Sequence, residues 1–220
     1  MNKDRFFKSI RKCANDLYNP FPYRRYTDKR KCIFIHVPKA AGTSIISWLA
    51  DGKIDRDHAT YYDYLYADPL KFAHYFKFCV VRNPWDRLVS AYYYLQLREN
   101  SRPDIVDYLG SFDSFESFAL RGLGSNLFFA NPIFRPQTSF FCDLAGNCQV
   151  DFIAKFESLK EDMAVVADRL GISGSLPILN EGKPVDFRRE YRSRDSVQKV
   201  AELYCQDVQI LGYKPPEPAA

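Results

Sequence analysis

Two short stretches of the sequence place a basic residue, a proline and hydroxyl side chains directly after apolar runs. Residues 31–44 read KCIFIHVPKAAGTS, and residues 80–90 read VVRNPWDRLVS. The β-branched and aromatic runs are typical of buried strands, which the prolines stop. A strand, a tight loop and a helix N-terminus form an anion site, because the helix dipole and the unpaired N–H groups of the first turn favour negative charge. The two stretches therefore predict binding of a polyanion.

The first stretch supplies the groups that such a loop needs. Gly42 lets the backbone approach an anion closely, and Thr43 and Ser44 add hydroxyl donors. Lys39 supplies a point charge, which an ordinary strand-to-helix turn would rarely need. The pattern is not the GxxxxGK[ST] loop of nucleoside triphosphatases, because the lysine precedes the glycine and the first glycine is absent.

The second stretch places Arg82 at the end of a strand and Ser90 in the helix that follows. Asn83 is expected to cap this helix. Open α/β sheets bind ligands at the carboxyl ends of their strands, so Arg82 and Ser90 could hold a phosphate through charged N–H bonds and a hydroxyl. The alternative is a surface arginine paired with Asp86, and it suits Arg87 better than Arg82.

HVPKAAGTS followed by VVRNPWDRLVSAY resembles the carbohydrate sulfotransferase family, in its heparan 2-O-, HNK-1 and chondroitin-type branch, as a bacterial-like short form. The segments FRPQTSFF, VDFIAKFESLKEDM, LPILN and YCQDVQILGY also match the family's order. The resemblance covers roughly residues 31–214. Both motifs in this order and at this distance are a specific signal, unlike either motif alone.

The resemblance implies a sulfotransferase that uses PAPS (3′-phosphoadenosine 5′-phosphosulfate) as co-substrate, without a metal, and passes the sulfuryl group in line to a carbohydrate hydroxyl. It assigns Arg82 and Ser90 to the 3′-phosphate, and Lys39 also to catalysis. It assigns to the phosphosulfate group the loop residues Pro38, Lys39, Ala40, Ala41, Gly42, Thr43 and Ser44. The family loop usually reads PKTAGT, so Ala40 removes one hydroxyl contact.

The acceptor hydroxyl must lose a proton, and imidazole is a suitable base near neutral pH. The chain has three histidines. In the heparan 2-O-type members a catalytic histidine precedes the equivalent arginine by a distance similar to that between His58 and Arg82. We therefore expect His58 to be the base, with a surface loop position as the alternative. His36 is the runner-up, with a packed or loop-supporting role as its other interpretation, and His74 is expected to be structural.

Further basic residues lie late in the chain. Most of this run, in residues 180–194, is expected to be a solvated face, although the resemblance places one or two of its members beside PAPS or an acidic glycan. Arg135 and Gln137 are weaker candidates for contacts with the acceptor. The basic residues of the run are Lys183, Arg188, Arg189, Arg192 and Arg194.

Near-continuous apolar strands alternating with helices predict an α/β protein, a P-loop-type three-layer fold with a central, mostly parallel sheet flanked by helices. Strands are expected at 33–37, 76–81 and 150–157. Helices are expected at 43–50, 84–98, 158–170 and 195–211. Ser158 and Glu161 are expected to form a capping box.

Composition limits the remaining choices. A net charge of +4, with no long basic block, argues against a nucleic-acid partner. We expect a helix and linker in residues 1–30, a sulfotransferase domain in 31–214 and a tail in 215–220. The basic amphipathic segment 4–18 either packs on its own domain or makes peripheral contact with an anionic membrane. No apolar run suits a bilayer span or a signal peptide, which predicts a cytoplasmic location.

The six cysteines form no CxxC pair and are expected to be reduced, with a Cys142–Cys148 bridge as the alternative.

Two further functions stay open at this point. A P-loop kinase-like phosphotransferase is disfavoured by the missing GK[ST] sequence. A non-catalytic protein that binds adenosine bisphosphate or a sulfated glycan is the other.

Overall fold

A parallel three-stranded sheet forms the centre of the protein. The computed structural model describes residues 21–50, 52, 57–96, 102–174, 176 and 186–219; the helix expected at 4–18 and Lys183 lie outside them. The described strands, in spatial order, are β1 (Cys32–Ile35), β2 (Phe76–Val81) and β3 (Phe152–Lys155). Both strand pairs are parallel. With helices flanking this sheet, the predicted α/β fold is confirmed.

Helices alternate with the strands along the chain, as expected. No helix in the described part of the chain is both long and apolar enough to cross a bilayer. The described α-helices are α1 (Arg25–Arg30), α2 (Gly42–Ala50), α3 (Tyr61–Ala67), α4 (Pro69–His74), α5 (Pro84–Gln96), α6 (Pro103–Gly110), α7 (Phe115–Ser117), α8 (Asn126–Ala130), α9 (Thr138–Phe141), α10 (Leu159–Leu170), α11 (Arg194–Leu203) and α12 (Cys205–Leu211). Shorter helical turns lie at Phe118–Gly122, Pro132–Phe134, Phe156–Ser158 and Phe187–Glu190.

The strands are buried because helices cover the sheet. All four residues of β1 and the last four of β2 are buried. Cys32 and Cys79 lie in these strands at 0% exposure. Burial raises the pKa of the Cys32 thiol to about 12, since the thiolate would lose its hydration.

Helix α1, which the sequence did not predict, joins the core before β1. Tyr23 and Tyr26 are buried in the same apolar cluster as β1. The Tyr23 hydroxyl donates to the carbonyl oxygens of Tyr64 and Asp68, at 3.0 Å each. The described residues just before β1 therefore pack on the domain. The division of the chain at residues 30 and 214 stays a prediction.

Two predicted details of the later helices are wrong. The Ser158 side chain does not cap α10; its hydroxyl donates to Asp162 Oδ2 at 2.8 Å, and the same oxygen accepts from the Lys155 N–H. Asp162 thus replaces Glu161 in organising this turn. The last helix is not continuous, because Tyr204 leaves helical geometry (φ −109°, ψ 30°) between α11 and α12.

Helix α5 lies against a second apolar cluster and is fixed there by long-range hydrogen bonds. Trp85, at 0% exposure, donates from Nε1 to the Val197 carbonyl at 3.1 Å. Its own carbonyl accepts from the Tyr191 hydroxyl at 3.0 Å. These bonds position the start of α5, where the second sequence motif lies.

Candidate functional site

The two motifs meet at the carboxyl edge of the sheet. The loop after β1 and Arg82, the residue directly after β2, are in direct contact, since Arg82 Nη1 donates to the Lys39 carbonyl at 3.3 Å. Adjacent parallel strands bring their carboxyl ends to one edge. The structure thus places the predicted loop and the predicted arginine side by side.

The loop after β1 has an unusual backbone. Lys39 (φ 69°) and Ala41 (φ 60°) both occupy the left-handed region. For residues with a Cβ this conformation costs about 1–2 kcal/mol each. Alternation of such residues turns successive N–H groups inward and forms an anion-binding concavity. Strained backbone of this kind clusters at ligand sites.

Helix α2 begins immediately after this turn. The Ala41 carbonyl accepts from the N–H groups of Ser44 and Ile45, at 3.1 and 3.3 Å, and closes the first helical turn. The axis of α2 therefore starts at Gly42, and the positive end of its dipole faces the loop. Thr43 is partly exposed and Ser44 is buried.

Gly42 is required by a neighbour, because a Cβ at this position would lie 1.9 Å from His36 Nε2 and 2.0 Å from His36 Cδ2. The imidazole of His36, 6% exposed, packs directly beneath the start of α2. The loop-supporting interpretation of His36 thus agrees with its position.

The Lys39 side chain reaches from the loop towards α5. Its Nζ lies 3.8 Å from the centroid of the Tyr94 ring, a cation–π contact. Pro38 and Ala40 are buried, and Ala40 is at 0% exposure. The Ala40 methyl group packs in the core, and Lys39 supplies the positive charge of the loop.

Arg82 is held by three groups. Its Nε and Nη2 donate to the two carboxylate oxygens of Asp86 at 2.8 Å each. Its guanidinium carbon lies 4.3 Å from the centroid of the Phe156 ring. With the Lys39 carbonyl as the third contact, the planar group is fixed on the edge of the sheet and remains 17% exposed.

The alternative in which Asp86 pairs with Arg87 is wrong, because Asp86 pairs with Arg82. Arg87 is 1% exposed and donates to the carbonyl oxygens of Ile133 and Arg135, at 2.9 and 2.6 Å. Adjacent residues of a helix do not face each other, whereas residues four apart do. Asp86 therefore meets Arg82, and Arg87 supports the fold.

Gln137 is not available to an acceptor, which corrects a second expectation. It is 0% exposed, and its side chain accepts from the Arg82 N–H at 2.9 Å and donates to the Arg82 carbonyl at 2.7 Å. The N–H of Gln137 is held by the buried carboxylate of Asp207 at 2.8 Å. Gln137 is thus a brace for the arginine. Arg135 is partly exposed and donates from Nε to the Phe128 carbonyl at 3.1 Å.

The start of α5 agrees with the sequence. Asn83 Oδ1 accepts from the N–H groups of Trp85 and Asp86 at 3.0 and 3.3 Å, which confirms the predicted cap. Ser90 is partly exposed, two turns along α5 from the arginine. Arg82 thus lies just before α5, and Ser90 lies within the same helix.

His58 lies beside the end of β1. Its ring centroid is 4.4 Å from that of His36. His58 Nδ1 lies 3.2 Å from the His36 carbonyl oxygen. Because a carbonyl oxygen only accepts, Nδ1 carries the hydrogen and Nε2 of the neutral ring keeps its lone pair. His58 is exposed, unlike His36, so it can meet a solvent-borne substrate.

Asp57 and Arg24 also hold this segment, and the sequence did not indicate either of them. The Asp57 carbonyl accepts from His36 Nδ1 at 2.8 Å. Arg24 Nε and Nη2 donate to Asp57 Oδ2 at 3.0 and 2.9 Å. The two residues are 33 positions apart, so no local pattern could pair them. His74 ends α4 and bonds the Leu70 carbonyl at 2.8 Å, away from this cluster of contacts.

The late basic residues that the structure describes lie on the surface, and one of them, Arg188, lines a cavity. Arg188, Arg189, Arg192 and Arg194 are all exposed. Within the described residues, no group of histidine, cysteine or acidic side chains could hold a metal ion. A cavity of about 400 Å³ is lined by Asn83, Phe187, Arg188, Lys214, Pro215, Pro216 and Glu217.

Comparison with known proteins gives a family. The model described as "Sulfotransferase family" matches residues 24–214 of the 220 residues. No curated protein and no solved structure matches the chain significantly. The matched range includes both anion motifs, His58 and Arg24.

Proposed function

The chain belongs to the sulfotransferase family, and on that premise we propose that it transfers the sulfuryl group of PAPS to a hydroxyl of a carbohydrate acceptor. One observation carries the donor assignment. The anion loop and Arg82 are in contact through the Lys39 carbonyl, so a single ligand with two anionic ends can lie across both. PAPS, with a 5′-phosphosulfate and a 3′-phosphate, has that form.

The loop is suited to the phosphosulfate end. Lys39 and Ala41 are in the left-handed conformation that turns successive N–H groups inward in anion-binding loops, and the dipole of α2 adds to the field of such a loop. Lys39 adds a full charge at the edge of this space. These groups meet the negative charge that develops on the bridging oxygen as the O–S bond breaks.

Arg82 is suited to the 3′-phosphate end. A guanidinium has five N–H donors, and three of them already bond Asp86 and the Lys39 carbonyl. Two remain for a phosphate, and their direction is fixed by Asp86 and Phe156. Ser90 would add a hydroxyl donor from the same helix.

His58 is the proposed general base. As the acceptor oxygen bonds to sulfur, the bridging O–S bond breaks and adenosine 3′,5′-bisphosphate leaves. The acceptor proton passes to His58 Nε2, the nitrogen that keeps its lone pair. His36 is less suited, because its Nε2 lies against Gly42 and its ring is buried.

The acceptor and the location rest on the resemblance rather than on contacts. We propose a carbohydrate or glycolipid acceptor and a cytoplasmic enzyme, with peripheral membrane contact through residues 4–18 as the open alternative. A cavity of about 400 Å³ is lined by Asn83, the residue after Arg82, and by Arg188, and it has room for part of a ligand. Its two cations, Arg188 and Lys214, favour an acidic group.

Calorimetric titration of the purified protein with adenosine 3′,5′-bisphosphate tests the donor site, with ATP–Mg²⁺ as the comparison. Micromolar binding of the bisphosphate and none of ATP is expected. Transfer of labelled sulfate from PAPS to candidate glycans then tests the reaction. Binding of ATP in place of the bisphosphate would support a kinase-like phosphotransferase instead.

A further inference from the structure

We propose that Asp57 and Arg24 are positioning residues for the base, and that their ion pair holds His58 in the orientation that proton transfer requires. This inference rests on the proposed function of His58. Neither residue lies in the donor loop, and their ion pair does not include Arg82. Their effect on catalysis would therefore be separate from donor binding.

Residues 57–59 are attached to β1 by two reciprocal imidazole–carbonyl bonds. His36 Nδ1 donates to the Asp57 carbonyl at 2.8 Å, and His58 Nδ1 donates to the His36 carbonyl at 3.2 Å. The first bond is short, whereas the second, which orients the base, is longer. The position of the Asp57 peptide therefore decides whether His58 can reach the carbonyl that sets its tautomer.

The Asp57 side chain fixes that peptide from the other side. Its Oδ2 accepts two hydrogen bonds from Arg24, and its Oδ1 accepts from the Ala59 N–H at 3.4 Å. The Asp57 carboxylate thus reaches past His58 to the N–H of the next residue, Ala59, while Arg24 holds its other oxygen. Asp57 therefore fixes the backbone of residues 57–59, which carries the base.

The Arg24–Asp57 ion pair is largely shielded from solvent. The side chains of Arg24 and Asp57 are 10% and 24% exposed, so solvent screens the pair less than it screens an ordinary surface pair. Arg24 directly precedes α1, and α1 packs on β1. The guanidinium is therefore anchored to the same strand end that carries His36.

One residue, His36, lies between the base and the donor site. His36 joins them, since its carbonyl holds His58 and its ring lies beneath Gly42. Loss of the Arg24–Asp57 pair leaves His36 in the core and the loop contact with Arg82 in place. We expect a misplaced base and an intact donor site.

The test compares the Asp57→Asn and Arg24→Gln variants with the native chain. Transfer kcat should fall roughly 10- to 100-fold, since small misplacement of a reacting group has effects of this size. The Kd for adenosine 3′,5′-bisphosphate should stay within about twofold, because the donor contacts are untouched. The ¹⁵N shifts of the His58 ring should show the Nδ1–H tautomer in the native chain and a tautomer mixture in the variants.

Asp28→Asn is the matched control. Asp28 lies on α1 and pairs with Lys71 at 2.9 Å, so this variant removes another ion pair of the same helix. Its kcat and His58 ring shifts should equal those of the native chain. A loss of kcat in Asp28→Asn as large as in Asp57→Asn would assign the effect to α1 packing and overturn the proposal.

A double-mutant cycle separates the two hypotheses. If Asp57 acts through His58, adding Asp57→Asn to His58→Ala should lower kcat no further. Multiplicative losses would overturn the positioning role and leave His58 as the base. Full transfer by His58→Ala alone would overturn the base assignment and the positioning role together, while bisphosphate binding would still report on the donor site.

Discussion

Arg82 and Asp86 face each other through two hydrogen bonds of 2.8 Å, Nε to Oδ2 and Nη2 to Oδ1, with both side chains 17% exposed. This fork-to-fork pair fixes the plane of the guanidinium before any ligand arrives. Because Asp86 occupies one edge only, the remaining N–H groups keep a defined direction at the edge of the sheet. The arginine is thus pre-oriented, which lowers the ordering cost of binding a phosphate.

The Arg82→Lys variant tests the role of the guanidinium, which bonds Asp86 through two nitrogens. An ammonium group keeps the charge but cannot bond Asp86 and a phosphate in two fixed directions. We expect the affinity for adenosine 3′,5′-bisphosphate to fall roughly 10- to 100-fold, since a charge-assisted hydrogen bond contributes about 1.5–3 kcal/mol. Calorimetric titration measures this loss. Arg102→Lys, at an exposed pair with Asp104, is the control and should bind as the native chain does; equal affinity in both variants would contradict the role of Arg82.

Gly42→Ala tests the close approach of His36 to the donor loop. The added methyl would lie 1.9 Å from His36 Nε2, so either the ring or the start of α2 must move. We expect weaker bisphosphate binding and lower kcat together, because the ring touches the loop and its carbonyl holds the base. Calorimetry and a transfer assay measure the two losses.

The His36→Ala change supplies the internal check on that prediction. Removing the ring removes the clash, so Gly42→Ala in the His36→Ala background should weaken bisphosphate binding much less than in the native background. Gly110→Ala is the matched control, because a Cβ there meets nothing within 4 Å. An equal effect of Gly42→Ala in both backgrounds would show that contact with His36 is not the cause.

The buried hydrogen bonds between the Gln137 side chain and the Arg82 backbone predict an effect on the free energy of unfolding. Gln137→Glu keeps the shape of the side chain but replaces the amide that donates to the Arg82 carbonyl at 2.7 Å by a carboxylate. A buried charge facing a carbonyl oxygen should lower the free energy of unfolding by about 3 kcal/mol at neutral pH. Urea unfolding measures it. Gln96→Glu, at an exposed position of α5, should change it little.

The sequence predicted the elements that depend on local pattern. The strands before His36 and Arg82, the helix cap at Asn83 and the α/β class follow from apolar runs and capping residues, which are local signals. The Arg24–Asp57 and Gln137–Arg82 contacts could not be predicted, because polar partners 33 and 55 positions apart leave no periodicity. The wrong choice between Arg82 and Arg87 shows how helical geometry, rather than proximity along the chain, selects the partner of Asp86.

Cys142 and Cys148 give the last prediction. Their Sγ atoms are 3.1 Å apart, and both thiols are free. Gln149 N–H bonds the Phe141 carbonyl, and Asp143 N–H bonds the Asn147 carbonyl, so the two cysteines form a non-hydrogen-bonded antiparallel pair. Such pairs bring Cα atoms to about 4.5 Å, within the range that a disulfide spans. The backbone already suits the bond.

We expect oxidised glutathione to convert this pair to a disulfide in two exchange steps. The exposed Cys148 attacks first and releases one glutathione, and Cys142 then displaces the second, so two thiols are oxidised and one glutathione disulfide is reduced. Cys142 is the slower nucleophile, because burial and the neighbouring thiol raise its pKa. Peptide mass spectrometry should show the internal bond in the native chain and a glutathionyl adduct on Cys148 in Cys142→Ser. Cys205, an exposed free cysteine, should hold only the adduct. A lasting adduct on Cys148 of the native chain would show that the second exchange does not occur.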